Sequence, residues 1–260
     1  MSQINRVIDL AACPLGDEAF IRRCRSQLDC DGVVTIPGFL TEAARRDLVA
    51  EAEAQYHNAF FTSSTHNVYL TPQRPELGED HVFNRQISSS KGCITTDQVP
   101  AGSGLHVIYE SPMFRDFLAR VVDEKELHEY ADPLSSINVH YAGDGQELGW
   151  HFDNSSFAVT LLLQAPEGGG EFQFVRDLRD ADEGELNFDG VEAVLDGRTA
   201  PAPLEVPPGT LVLFRGRNSM HRVTPTIGGR TRILVVLAYN AKPDVALSEA
   251  ARMTFYGRLG

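Results

Sequence analysis

The chain has 260 residues, 42% of them hydrophobic, which suits one large domain or one core carrying an appended layer. Its 36 acidic against 23 basic side chains give a formal net charge of −13, which repels phosphate backbones, and no basic stripe offers a landing site for nucleic acid. No apolar run reaches the roughly 18 residues of a membrane span, residues 1–6 lack a basic-then-apolar leader pattern, and the four cysteines (Cys13, Cys24, Cys30, Cys93) form no C-x-x-C pair, so free thiols in a soluble, cytoplasmic protein are expected.

In chain order, Phe20, Ile21, Cys24 and Leu28 fall at helical spacing and predict a helix over residues 17–28. A short β-branched run at 32–36 reads as a strand stopped by Pro37-Gly38. Thr41 can cap a second helix running to residue 55, with Leu48 and Val49 on its buried stripe. Ser111-Pro112, a cap followed by proline in the first turn, opens a third helix over 113–122.

The stretch 57–104 is polar with scattered aromatics (Phe60, Phe61, Tyr69, Phe83) and keeps no period. A segment of that length inside a compact domain is either a functional loop, here a substrate lid, or a set of short elements without a legible pattern. From residue 135 the character changes to strands at 137–141, 158–163, 171–175, 204–206, 211–214 and 231–239, separated by Gly- and Pro-rich turns. Short strands with such turns and no helical pattern between them predict an antiparallel sandwich or barrel. The acidic run 176–203 interrupts them as an insert. The expected architecture is mainly β with an α contribution: residues 1–134 as helical support and candidate lid, 135–242 as barrel, 243–260 as tail, in one domain.

His151-Phe152-Asp153 follows Trp150. On a strand, residues i and i+2 share a face, so His151 and Asp153 project together while Phe152 turns away. His221 stands 70 positions later, just after the strand at 211–214, and offers the third ligand. Two imidazoles and one carboxylate on one side of a metal leave adjacent positions open, the pattern of non-heme iron(II) oxygenases; a hydrolytic zinc site can use the same donors with one open position. Arg230 and Arg232 lie nine and eleven residues beyond His221, at the mouth of the last apolar strand, and are expected to project to one face of it. A guanidinium there can bind a carboxylate bidentately. Arg85 is a further candidate for a substrate carboxylate, and His140 and Asn138 share a strand face that lines either the pocket or the core. Gly168-Gly169-Gly170 lacks a following Gly-Lys-Ser/Thr and reads as a strand connection rather than a phosphate loop.

The order of these parts resembles the iron(II)- and 2-oxoglutarate-dependent oxygenases, whose fold is a double-stranded β-helix (a jelly-roll, cupin-like barrel). Residues 141–154 (YAGDGQELGWHFDN) look like the ligand segment of prolyl-hydroxylase-type members, and residues 221–225 (HRVTP) look like their third-ligand segment. That resemblance gives Tyr141, ten residues before His151, a hydrogen bond to the co-substrate. A narrower resemblance over residues 135–260 is to the group of free-amino-acid halogenases and their hydroxylating relatives. It is carried by Gly169-Gly170-Glu171-Phe172, Val194-Leu195-Asp196-Gly197, Leu213-Phe214-Arg215-Gly216-Arg217 and Phe255-Tyr256-Gly257-Arg258. That group's spacing selects Arg232 as the arginine for 2-oxoglutarate, whereas prolyl-hydroxylase spacing selects Arg230. The halogenases carry Gly or Ala where this chain keeps Asp153, so the resemblance implies hydroxylation rather than halogenation. It also implies Fe(II), 2-oxoglutarate and dioxygen as cofactor and co-substrates, and a free amino acid or close derivative as substrate. A protein-modifying hydroxylase and a non-catalytic metal-binding barrel are the competing classes.

Overall fold

A computed structural model describes residues 3–260 of the chain. Seven α-helices are α1 (Ile4–Val7), α2 (Glu18–Asp31), α3 (Glu42–Gln55), α4 (Gly104–Tyr109), α5 (Pro112–Val122), α6 (Phe188–Leu195) and α7 (Glu249–Tyr256). Three of them begin where local chemistry places them. The side chains of Asp17, Thr41 and Ser111 accept hydrogen bonds from the backbone N–H groups of Phe20 (2.7 Å), Ala44 (3.2 Å) and Phe114 (3.3 Å). Each such cap is worth about 0.5–2 kcal/mol. No described helix is long and apolar enough to cross a membrane.

The strands of the first half are β1 (Val33–Ile36), β2 (Phe60–His66) and β3 (Ile87–Ile94). The second half supplies β4 (Ile137–Ala142), β5 (Leu148–His151), β6 (Ala158–Gln164), β7 (Gly168–Gly169), β8 (Phe172–Val175), β9 (Ala202–Leu204), β10 (Leu211–Phe214), β11 (Met220–Val223), β12 (Thr226–Ile227) and β13 (Arg232–Leu237). All but β7 and β12 join one curled antiparallel sheet in the order β1-β10-β6-β13-β4-β3-β5-β11-β8-β9, with β2 on β3. This is the jelly-roll barrel with helices that the sequence predicts. The glycine run 168–170 is indeed a strand connection: β7 pairs with β12.

Alternation along the strands divides the molecule. Ile137, Val139 and Tyr141 of β4 and Ile233, Val235 and Leu237 of β13 pack outward with the buried faces of α2, α3 and α5 in one large core. His140 of β4 and Arg232, Leu234 and Val236 of β13 face the barrel interior. A second core holds Val68, Tyr69, Phe83, Trp150, Phe152 and Val191.

Two stretches that the sequence left open are decided here. The stretch 57–104 is not a single loop, because it contains β2 and β3, and β3 is inserted between β4 and β5 in the barrel. The strand was hidden because its inward positions, Ser89 and Lys91, are polar and face a cavity, so no apolar period marks them. The acidic insert 176–203 contains α6, whose Val191 and Val194 are buried in the second core, so the insert packs against the barrel. The tail likewise ends in a helix, α7.

Candidate functional site

His151 closes β5 and His221 sits in β11, and antiparallel pairing sets them directly opposite each other. A register irregularity between this pair and the next, Val223–Leu148, lets both Leu148 and His151 face the cavity. Each imidazole is fixed by its own backbone. His151 Nδ1 donates to the Gly149 carbonyl at 2.8 Å and His221 Nδ1 to the Ser219 carbonyl at 3.0 Å. This selects the tautomer in which each Nε2 carries a free lone pair. Burial, then the neighbouring His221, pulls the His151 pKa well below its ordinary value, so this ring is neutral at physiological pH.

Asp153 lies past the end of β5, and Phe152 between it and His151 is fully buried in the second core. The Asp153 N–H donates to the Gly216 carbonyl at 3.0 Å. Asp153 Oδ1 then stands 3.7 Å from His151 Nε2 and 3.6 Å from His221 Nε2. One donor atom from each of the three residues falls within 4.8 Å of the others, the only such cluster of metal-binding groups among the described residues. Asp153 Oδ2 is buried without a hydrogen-bond partner. Two imidazoles that turn their Nε2 atoms to one point, and a carboxylate with one oxygen buried without a hydrogen-bond partner, fit a divalent metal ion at this spacing.

Several side chains around the cluster carried no assignment in the sequence. Arg179, from the acidic insert, spans the Phe152 ring at 4.2 Å and donates to the carbonyls of Arg217 (2.8 Å) and Asp153 (3.4 Å). Arg217 donates to the Asn154 carbonyl at 3.1 Å. Together they hold the Asp153 turn by its backbone. Gly216 is the tightest point. A Cβ there would overlap Asp153 Oδ2, lie 2.6 Å from Asp153 Cγ and press on His221 Cε1 at 3.0 Å. Gly216→Ala is therefore expected to displace the carboxylate and weaken iron binding about 10–100-fold, with the fold intact. A competition titration against a chelator measures this, and wild-type affinity would remove Gly216 from the site. The signal was present in the sequence, since Gly216 and Arg217 belong to one of the family-like runs, but nothing there said what they touch.

The cavity beside the cluster measures about 360 Å³ and is predominantly apolar. It falls within the usual range for small-molecule sites. Arg232 lines it. No described acid pairs with this guanidinium, and burial pulls its pKa down to about 10, so it remains a cation at neutral pH. Arg230 does not share its face. It is exposed in the turn before β13 and donates to the Pro166 carbonyl at 3.0 Å. Tyr141 is also turned away. It packs on the helix-facing side of β4, and its hydroxyl donates to the Ala52 carbonyl at 2.7 Å. Arg232 pairs with Ala142 and Leu234 with His140, so register puts Arg232 on the face of His140, opposite Tyr141.

The remaining candidates separate in the same way. His140 lines the cavity, whereas Asn138 is structural, donating to Leu134 O and accepting from the Tyr256 hydroxyl. Arg85 pairs with Asp196 at 2.6 Å and so ties the β2–β3 connection to the insert. Trp150 packs in the second core under the Arg222 guanidinium. His66, which had no ligand spacing, lines the cavity but is engaged by Ser89 Oγ at 2.7 Å.

Comparison with known proteins agrees with this geometry. No protein of curated function matches the chain in sequence. Among solved structures it is similar to a 2OG-Fe(II) oxygenase family oxidoreductase from Burkholderia pseudomallei, at 14% identity and a TM-score of 0.53, with 88% of this chain and 94% of that one covered. The non-heme alpha-ketoglutarate-dependent epimerase SnoN from nogalamycin biosynthesis is similar at 13% identity and a TM-score of 0.60, covering 86% and 84%. A Pseudomonas putida prolyl-4-hydroxylase follows at 14% identity and 0.51, covering 83% and 96%. At these identities the likeness establishes the shared barrel. The family model for halogenase D matches residues 16–255, nearly the whole chain, and the protein therefore belongs to the halogenase D family.

Proposed function

We propose that the protein is an iron(II)- and 2-oxoglutarate-dependent oxygenase that hydroxylates an unactivated carbon of a small substrate, a free amino acid or a derivative of one. The observation that carries this reading is the convergence of His151 Nε2, His221 Nε2 and Asp153 Oδ1 beside a cavity that Arg232 also lines. Iron(II) with 2-oxoglutarate and dioxygen supplies an oxidant able to break a C–H bond.

The chain's own residues do the rest. His151, Asp153 and His221 hold the metal on one side and leave the cavity side open. Arg232 takes the distal carboxylate of 2-oxoglutarate, with the dry strand face strengthening that charge-assisted bond. The strand β2 (Thr62, Ser64) and the helix α7 (Thr254, Phe255) wall the cavity, which favours a small substrate over an extended peptide. The free thiols of Cys13, Cys24, Cys30 and Cys93 suit a reducing cytoplasm. On this reading residues 1–260 work as one oxygenase domain.

Asp153 decides the outcome. Its carboxylate fills the metal position that a halide needs and adds a negative charge that repels chloride. With a turned-over substrate in excess chloride, mass spectrometry should find a gain of one oxygen derived from labelled dioxygen and no chlorinated product. Asp153→Gly should be nearly inactive, with at most a trace of chlorination, because the surrounding residues still position the substrate for oxygen transfer. Substantial chlorination by the unaltered enzyme would sink the hydroxylase reading.

A further inference from the structure

The reading above leaves one cation in the cavity without a role. Lys91 stands on β3, which lies next to β4 and also pairs with β5 at Ser89. On β4 it meets His140, the residue paired with Cys93, diagonally, and the His140 ring nitrogens lie 3.3 and 3.5 Å from the Lys91 ammonium. Lys91, His140 and Arg232 therefore form a row on three adjacent strands, β3, β4 and β13, all facing inward. Lys91 is at the end of the row nearer the metal cluster, because β3 is the strand of the three that pairs with β5, and β5 ends on His151. The accessible surface that Lys91 keeps faces this cavity rather than bulk water, which is why burial still lowers its pKa. His140 is no counter-ion, because an imidazole is either neutral or a cation, and burial with the two flanking cations holds this one neutral.

The charges of the lining are unbalanced. Asp153 is the one acid among the described lining residues, against Lys91 and Arg232. With Lys91 protonated, iron(II) adds two positive charges and 2-oxoglutarate removes two, so one positive charge remains in the lining. A carboxylate neutralises it at small desolvation cost, whereas a free ammonium finds no acid there other than the metal ligand. The rest of the described wall carries no further cation or acid: Leu148, Leu234, Val236 and Phe255 give it an apolar character, and hydroxyls of Thr62, Ser64 and Ser89 lie beside Lys91.

We propose that Lys91 anchors a carboxylate of the primary substrate, and that this substrate is a monocarboxylate with an uncharged, largely apolar body, of which an N-acylated amino acid is the amino-acid derivative that fits. The assignment rests on the oxygenase reading and narrows its substrate class. The same ammonium could instead meet the metal-end carboxylate of 2-oxoglutarate, and the test separates the two sources.

Iron(II)-loaded enzyme is titrated anaerobically with 2-oxoglutarate, following the weak visible charge-transfer band. N-acetyl-L-leucine, N-acetyl-L-leucinamide and L-leucine are then added separately, with perturbation of the band as the binding readout and succinate release as the turnover readout. The acid with the blocked amine should act at concentrations at least about tenfold lower than the other two, the loss expected for one charge-assisted hydrogen bond. Lys91→Met, which keeps an unbranched side chain one atom shorter and removes the charge, should erase that preference and leave 2-oxoglutarate saturation unchanged. Equal responses to the three probes, no response to any, or tighter binding of leucine each overturn the proposal. A Lys91→Met enzyme that requires more 2-oxoglutarate while keeping the preference assigns Lys91 to the co-substrate and overturns it too. Absence of the band in the unaltered enzyme strikes the oxygenase reading itself, and the proposal falls with it.

Discussion

Arg232→Leu should raise the 2-oxoglutarate concentration needed for half-saturation by roughly 30-fold to a few thousand-fold, the equivalent of about 2–5 kcal/mol. Arg232 faces the cavity from β13, has no acidic partner among the described residues, and is buried enough to pull its pKa to about 10. A cation in that position gains most from a bidentate carboxylate, and a leucine in its place leaves the co-substrate carboxylate buried and unpaired. Arg232→Lys should recover only part of the loss, because an ammonium cannot match the planar fork. Arg230→Leu should change saturation less than about twofold, since an exposed arginine contributes little. Anaerobic titration of the visible band measures all three, and a ranking with Arg230 above Arg232 would transfer the role.

The second large effect belongs to the imidazoles. His151→Ala and His221→Ala should each abolish substrate-dependent succinate formation and weaken iron binding by at least about 100-fold, more than the loss of a supporting contact produces. The two rings oppose each other across the β5–β11 pair, so removing either leaves one imidazole and the carboxylate on one flank of the metal. Neither substitution breaks a strand hydrogen bond, because the pairing is made by backbone. The variants should keep the far-ultraviolet circular dichroism of the parent. Near-normal turnover at low iron in either variant would show that the metal is held elsewhere.

Much of this molecule is legible before folding because its signals are local. The caps Asp17, Thr41 and Ser111 announce three helices within one residue of where they start. The strands expected from residues 137, 158 and 211 begin at those residues. His151 and Asp153 meet at one site although the strand ends at His151, because the buried Phe152 and the Asp153–Gly216 backbone hydrogen bond turn the carboxylate back toward the imidazole.

Sequence alone determined three helix starts and most of the barrel strands, and it placed His151, Asp153 and His221 as a candidate ligand set, while both Arg230 and Arg232 stayed open by spacing until the family resemblance favoured Arg232. Tertiary structure decided which side of each strand became the cavity. Period-two alternation states that Tyr141 and His140 face opposite ways, but both sides of β4 are covered, so residue type does not tell core from pocket. The helices α2, α3 and α5 settle it by claiming the face of Tyr141. Polar inward positions hid β3, and with it Lys91, since a strand whose buried side is a binding cavity lacks the apolar stripe by which strands are recognised. Gly216 became significant only when strands distant in sequence brought Asp153 and His221 against it, because a missing side chain has meaning only where another atom occupies its space.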